Sequence, residues 1–121
     1  MLMVDVVQIA RLPEAERATH MGAMFQQLMA KSPDQQVGQM RELIRQMAEQ
    51  ATDSEYLALC HTNLTLAAGL PEETLKGFLT VRQKAVASLP EALQQRDQTL
   101  MMKAFAELPE TIQAPVKNAM Q

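Results

Sequence analysis

The sequence predicts an all-α protein, a compact bundle of five to six short antiparallel helices in a single domain over residues 1–121. Three observations predict this fold class. Signals for helix starts recur about every 19–20 residues. Between these signals, apolar residues are spaced three and four apart, as on one face of a helix. Strand formers are scarce: aromatic residues make up 3% of the chain, and β-branched residues do not alternate with polar ones.

A repeated tripeptide marks most of the predicted helix starts. Proline suits the first turn of a helix because its missing N–H would have no partner there, and a following glutamate lies at the positive end of the helix dipole. Pro33 and the polar cluster 52–55 fill the two remaining gaps. Leu-Pro-Glu itself occurs at 12–14, 70–72, 89–91 and 108–110. Capping boxes are predicted at Ser32–Gln35, Thr52–Glu55 and Ser88–Glu91.

The intervals between these signals follow one another as helices. A short helix is predicted at each end of the chain, and Pro115 is expected to end or bend the last one. Segment 54–70 is apolar on almost every side, which predicts a central helix, with Gly69 as its cap. The other four segments each carry one apolar stripe, and they are 14–31, 32–51, 72–88 and 91–107. The polar run 94–98 interrupts the last stripe and indicates a frayed turn or an exposed span.

A short helical-hairpin solenoid is the alternative architecture. Two intervals together make about 38–39 residues, which is close to the period of such repeats. However, only the helix starts recur, and a single all-round apolar helix favours a bundle over a stack of equally shielded helices. Three isolated glycines inside the predicted helices, Gly22, Gly38 and Gly77, are interpreted as points where helices cross closely.

Charge and composition exclude several classes of function. The net charge is −3 and no basic stripe is present, so binding to nucleic acid or to anionic membranes is not expected. No stretch approaches the ~18 apolar residues of a membrane span, and the first residues make a poor signal peptide. The single cysteine cannot form an internal disulfide. These observations predict a cytoplasmic protein, and no cofactor is expected.

The leading functional hypothesis is a non-enzymatic interaction module, either a scaffold or a small regulator. The chain contains ten Met, and a Met-rich apolar surface adapts readily to a protein partner or to a second copy of the chain. The predicted surface consists of Phe25, Met29, Met40 and Met47. An enzyme is disfavoured because the sequence offers no recognisable set of nucleophile, base and orienting group.

The alternative hypothesis is a binder that holds a small apolar ligand or a soft metal inside the bundle. Its predicted residues are Cys60, His61, His20 and Met24, since thiol, imidazole and thioether groups suit soft metals. A structural role competes with each of them. Neighbouring side chains on a helix point about 100° apart, so Cys60 and His61 cannot act together, and His61 is expected to bond Thr65 or a backbone carbonyl in the core. Methionine is also an ordinary core filler.

Overall fold

The computed structural model describes residues 5–120, which form seven helices joined by short turns. No strand occurs in this range, so the all-α class is confirmed, whereas the predicted count of five to six helices is too low. Five helices have 16–18 residues, and the two terminal ones are shorter. The helices are α1 (Val6–Ala10), α2 (Glu14–Met29), α3 (Pro33–Gln50), α4 (Asp53–Ala68), α5 (Glu72–Ala87), α6 (Glu91–Glu107) and α7 (Glu110–Ala119).

The Leu-Pro-Glu tripeptides begin four of these helices. In each, proline is the N-cap residue and glutamate is the first helical residue, with no side chain capping the backbone. Two of the three predicted capping boxes are present, at Ser32–Gln35 and Thr52–Glu55. The third is wrong because Pro90 occupies the N-cap of α6. Ser88 instead ends α5, and its hydroxyl donates to the carbonyl oxygen of Ala85 at 2.7 Å.

The helices pack mainly with alternate rather than consecutive neighbours. The most extensive packing joins α3 to α5 and α4 to α6, while α2 packs on α4 and α5 on α7. Helix α4 lies in the centre, against α1, α2, α5, α6 and α7, as its all-round apolar sequence predicts. This enclosure of one helix agrees with a compact bundle rather than a solenoid.

Two local interpretations need correction. A methyl group added at Gly22, Gly38 or Gly77 would meet no atom within 4 Å, so these glycines do not mark close helix crossings. Helix α7 also continues past Pro115 to Ala119, so of the two expected effects of this proline, ending the helix is wrong and bending it stays a prediction. Within residues 5–120, no helix combines the length and the apolar character that crossing a membrane requires.

Candidate functional site

A cavity of about 70 Å³ lies in the middle of the bundle, and helices α1 to α6 all contribute to its walls. It is partly open to solvent rather than sealed. Most of the lining side chains are apolar, and most of these are buried. They are Val6, Met21, Met24, Phe25, Leu28, Met40, Leu43, Ile44, Met47, Leu59, Leu64, Phe78, Leu79 and Met101.

Methionine is as frequent as leucine in these walls, with five side chains of each. Helices α2 and α3 each contribute two methionines and α6 contributes one, namely Met21, Met24, Met40, Met47 and Met101. The unbranched thioether has three rotatable bonds and a polarizable sulfur, so it can change shape to follow a neighbouring molecule. A more rigid part of the wall is aromatic: the rings of Phe25 and Phe78 lie 4.8 Å apart, tilted by 34°. The cavity therefore combines a fixed aromatic surface with adaptable sulfur-containing side chains.

One side of the cavity borders a buried ionic cluster. Asp97 of α6 is 2% exposed. It accepts hydrogen bonds from both terminal nitrogens of Arg82 on α5, at 2.7 and 3.1 Å. The hydroxyl of Tyr56 on α4 donates to the same carboxylate at 2.5 Å. Tyr56 and Arg82 also line the cavity. A buried carboxylate is stable only when its oxygens are paired in this way.

Arg96 extends the cluster to the end of α3. Its guanidinium lies 5.4 Å from the centre of the Tyr56 ring. It donates to the carbonyl oxygens of Ala48 at 2.7 Å and Ala51 at 2.6 Å, and to Asp53 Oδ1 at 3.0 Å. The last carbonyls of a helix carry partial negative charge and lack partners within the helix, so a cation is favourable there. We call Tyr56, Arg82, Arg96 and Asp97 the Asp97 cluster.

Protonation in this region follows from burial. Burial, reinforced by the Asp97 charge, raises the pKa of Tyr56 far above its usual value, so the phenol stays protonated and donates. Burial is the largest single effect and would lower the pKa of Arg82, but the charge of Asp97 and its hydrogen bonds to Arg82 together outweigh burial, so the pKa is raised. Burial also raises the pKa of the Cys60 thiol to about 12. Cys60 is therefore a neutral thiol at pH 7.

The cavity brings together residues from both functional hypotheses. Phe25, Met40 and Met47, predicted for an interaction surface, are buried and line it. Met24 and Cys60, predicted for an interior ligand, line it as well. Met29 is only partly buried and is not part of the lining. The single chain thus places three of the four predicted surface residues in its interior.

The two histidines lie elsewhere. His20 is exposed on α2, beside a shallow surface depression. His61 is half-buried, and its Nε2 lies 3.0 Å from Glu107 Oε1 on α6 rather than bonding Thr65. The Thr65 hydroxyl instead donates to the His61 carbonyl oxygen at 2.8 Å. In the described part of the chain, no three His, Cys, Asp or Glu side chains group around a common metal position.

An unpaired acceptor also lies in the cavity wall. Asn63 of α4 contributes to the lining. Its Oδ1 is buried and has no hydrogen-bond partner. Every other buried side-chain nitrogen or oxygen within residues 5–120 has one. Leaving such a group unpaired costs about 1–3 kcal/mol. Asn63 therefore has unused hydrogen-bonding capacity beside the cavity, and a neighbouring side chain has to move before a molecule in the cavity can reach this covered oxygen.

Sequence reasoning missed Arg82, Asp97 and Asn63, although the first two leave a signal. Arg82 follows Phe78 by four residues and precedes Ala85 by three, so it falls on the apolar stripe of α5. Asp97 stands in the same relation to Leu93 and Leu100 on α6. Opposite charges at stripe positions of two helices indicate a buried ion pair between them, instead of the frayed turn or exposed span inferred from 94–98.

Comparison of the chain with protein-family models, with curated proteins and with solved structures found no match in any of the three.

Proposed function

We propose that this protein binds a small apolar molecule in the central cavity. The observation that carries the proposal is the cavity itself, whose walls are apolar, rich in methionine and interrupted by a few polar groups. Ligand sites in proteins usually have this composition, with most of the surface apolar and a small number of polar groups that orient the ligand.

The size of the cavity limits the ligand. A water molecule needs roughly 10–15 Å³ of such space, so about 70 Å³ accommodates a molecule of several heavy atoms. A cavity of about 150 Å³ holds benzene in another protein, so a single ring fits here only when methionine side chains rotate and widen the space. A single aromatic ring or a short alkyl chain is the expected ligand class.

A metal-binding form of this proposal has less support. The four predicted metal ligands are separated, since His20 and His61 lie outside the cavity that Met24 and Cys60 line. Metals bind the thiolate form of cysteine, whereas burial keeps Cys60 protonated. We therefore favour an organic ligand.

NMR of the methionine methyl groups tests the proposal. Benzene is titrated into the protein while these signals are recorded. We expect the signals of the five lining methionines to shift, whereas those of Met102 and Met120, which are 65% and 62% exposed, stay in place. Absence of any shift near the solubility limit of benzene would contradict the proposal. Leu59→Phe, which fills the cavity, should weaken binding, and Met102→Phe serves as the matched surface control.

We propose protein interaction as a second function. The supporting observation is that Met102 on α6 and Met120 after α7 are large apolar side chains left exposed on the isolated chain. Single exposed apolar side chains are common on monomers and contiguous patches mark interfaces, so this proposal requires that Met102 and Met120 each belong to a patch that a second copy covers. Native mass spectrometry gives the test: a dimer that Met102→Asp or Met120→Asp dissociates supports self-association, and a monomer at high micromolar concentration contradicts it. A cytoplasmic location is proposed with both functions, consistent with a lone thiol.

A further inference from the structure

We infer that the ligand carries a hydrogen-bond donor, in the simplest case a hydroxyl group, and that Asn63 accepts it. This inference rests on the proposed binding function and adds the polarity of the ligand to it. Asn63 lines the cavity, and its Oδ1 is the buried acceptor without a partner in the described chain. A ligand that is apolar except for one hydroxyl group would complement both the walls and this oxygen.

Two of the other polar side chains of the wall, Tyr56 and Arg82, are already occupied, and Gln39, the third, is only half-buried, so water can satisfy its amide. The Tyr56 hydroxyl and both terminal nitrogens of Arg82 are bonded to Asp97. Recruiting either residue to a ligand would remove a hydrogen bond from a buried carboxylate, which is costly. Asn63 loses nothing when it binds a ligand, because its oxygen has no bond to give up.

The choice of ligand follows from the cost of burying a hydroxyl group. An entirely apolar cavity rejects a hydroxylated ligand, because the hydroxyl leaves water and finds no partner. A single well-placed acceptor removes that penalty. Asn63 should therefore raise the affinity for a hydroxylated ring and have little effect on the affinity for a methylated ring of the same size.

Phenol and toluene form the matched pair for this test, because they differ only in a hydroxyl against a methyl group. Dissociation constants for both are measured by methionine methyl NMR on the wild-type protein and on Asn63→Leu. We expect the ratio of the phenol constant to the toluene constant to rise about tenfold or more in Asn63→Leu, as for an unpaired buried hydroxyl. Asn118→Leu makes the same substitution at an exposed position of α7 and should leave the ratio unchanged.

The outcomes separate the two proposals. If both molecules bind and the ratio is the same in wild type and Asn63→Leu, the role of Asn63 is wrong while ligand binding stands. If neither molecule binds the wild-type protein, both proposals fail. If Asn63→Leu does not fold, a measurement on the wild-type protein replaces it. Phenol should shift the NMR signals of the Asn63 side-chain amide, whereas toluene should not. Equal shifts with both molecules would overturn the inference.

Discussion

The methionine-lined cavity and the Asp97 cluster adjoin the same central helix, yet the two regions are built by opposite means. The cavity is held by non-directional contacts of flexible side chains, which many arrangements can satisfy. The cluster is held by short hydrogen bonds of fixed geometry, including a two-point contact between Arg82 and Asp97. The two regions therefore have different roles. The cluster fixes how α4, α5 and α6 pack against one another, and the side chains around the cavity remain able to change conformation.

The largest expected effect comes from removing the centre of the cluster. Asp97→Leu leaves the guanidinium of Arg82, whose side chain is 17% exposed, and the Tyr56 hydroxyl without their partner. We expect the free energy of unfolding to fall by about 3 kcal/mol, as when one member of a buried pair is lost. Urea unfolding measures this change.

The double variant Asp97→Leu with Arg82→Leu is the control for this experiment. It replaces both charges by apolar side chains and should recover the part of the loss that comes from the unpaired Arg82 charge, while the Tyr56 hydroxyl still lacks its partner. A double variant as unstable as Asp97→Leu would show that the pair contributes through packing instead.

On the cavity side, Met47→Ala should cost about 2 kcal/mol, at the low end for such truncations because it enlarges an existing space. Met47→Leu should cost less than about 1.5 kcal/mol, since the volume is nearly kept and the wall tolerates a change of shape. Thermal and urea unfolding give both values, with exposed Met102→Ala as a control near zero. A larger loss from Met47→Leu than from Met47→Ala would mean that the walls are as strictly shaped as the cluster.

A smaller effect is expected where the cluster meets α3. Arg96→Gln removes the cation that binds the carbonyl oxygens of Ala48 and Ala51, and the free energy of unfolding should fall by about 1 kcal/mol. Hydrogen exchange should rise selectively in the last turn of α3. Uniformly faster exchange along all helices would contradict a local role for Arg96.

Cys60 lies between the two regions, and its effect appears only at high pH. Because the folded-state pKa is raised to about 12 from the ordinary value of 9.0, the neutral thiol contributes stability fully below pH 9 and loses it between pH 9 and 12. At pH 10 the loss should be roughly 1 kcal/mol. Unfolding curves at pH 8 and pH 10 should differ less for Cys60→Ala than for wild type. If the stability of Cys60→Ala and of the wild type depended equally on pH, the thiol would be in contact with water and its pKa would not be raised.

The sequence predicted the long helices well because their starts depend on local chemistry. Proline, an acidic residue and a capping side chain act within one turn, and all five helices between 14 and 107 begin within one residue of the predicted starts. The capping box predicted at Ser88 is wrong because Pro90 occupies the N-cap position of α6, which leaves Ser88 at the end of α5. The pairing of alternate helices could not be predicted, since it depends on which stripes fit together in three dimensions.

The lining of the candidate site overlaps in part with the residues selected from the sequence. Met24, Phe25, Met40, Met47 and Cys60 were all selected from the sequence, but they were divided between a surface and an interior site. Periodicity shows that a side chain lies on an apolar face, and it does not show whether that face is covered by the same chain or by another. Asn63 left no signal, because an asparagine beside apolar residues is equally consistent with an exposed helical position.

The packing of alternate helices also has a consequence for the synthesis of the chain. A helix that leaves the ribosome does not find its main partner in the next helix, and α3 must wait for α5, which begins about 40 residues later. At translation rates of 5–20 residues per second, this interval is roughly 2 to 8 s. During that time α5 does not cover the apolar residues of α3, so Met40 and Met47 stay exposed for longer than they would if α3 paired with the next helix.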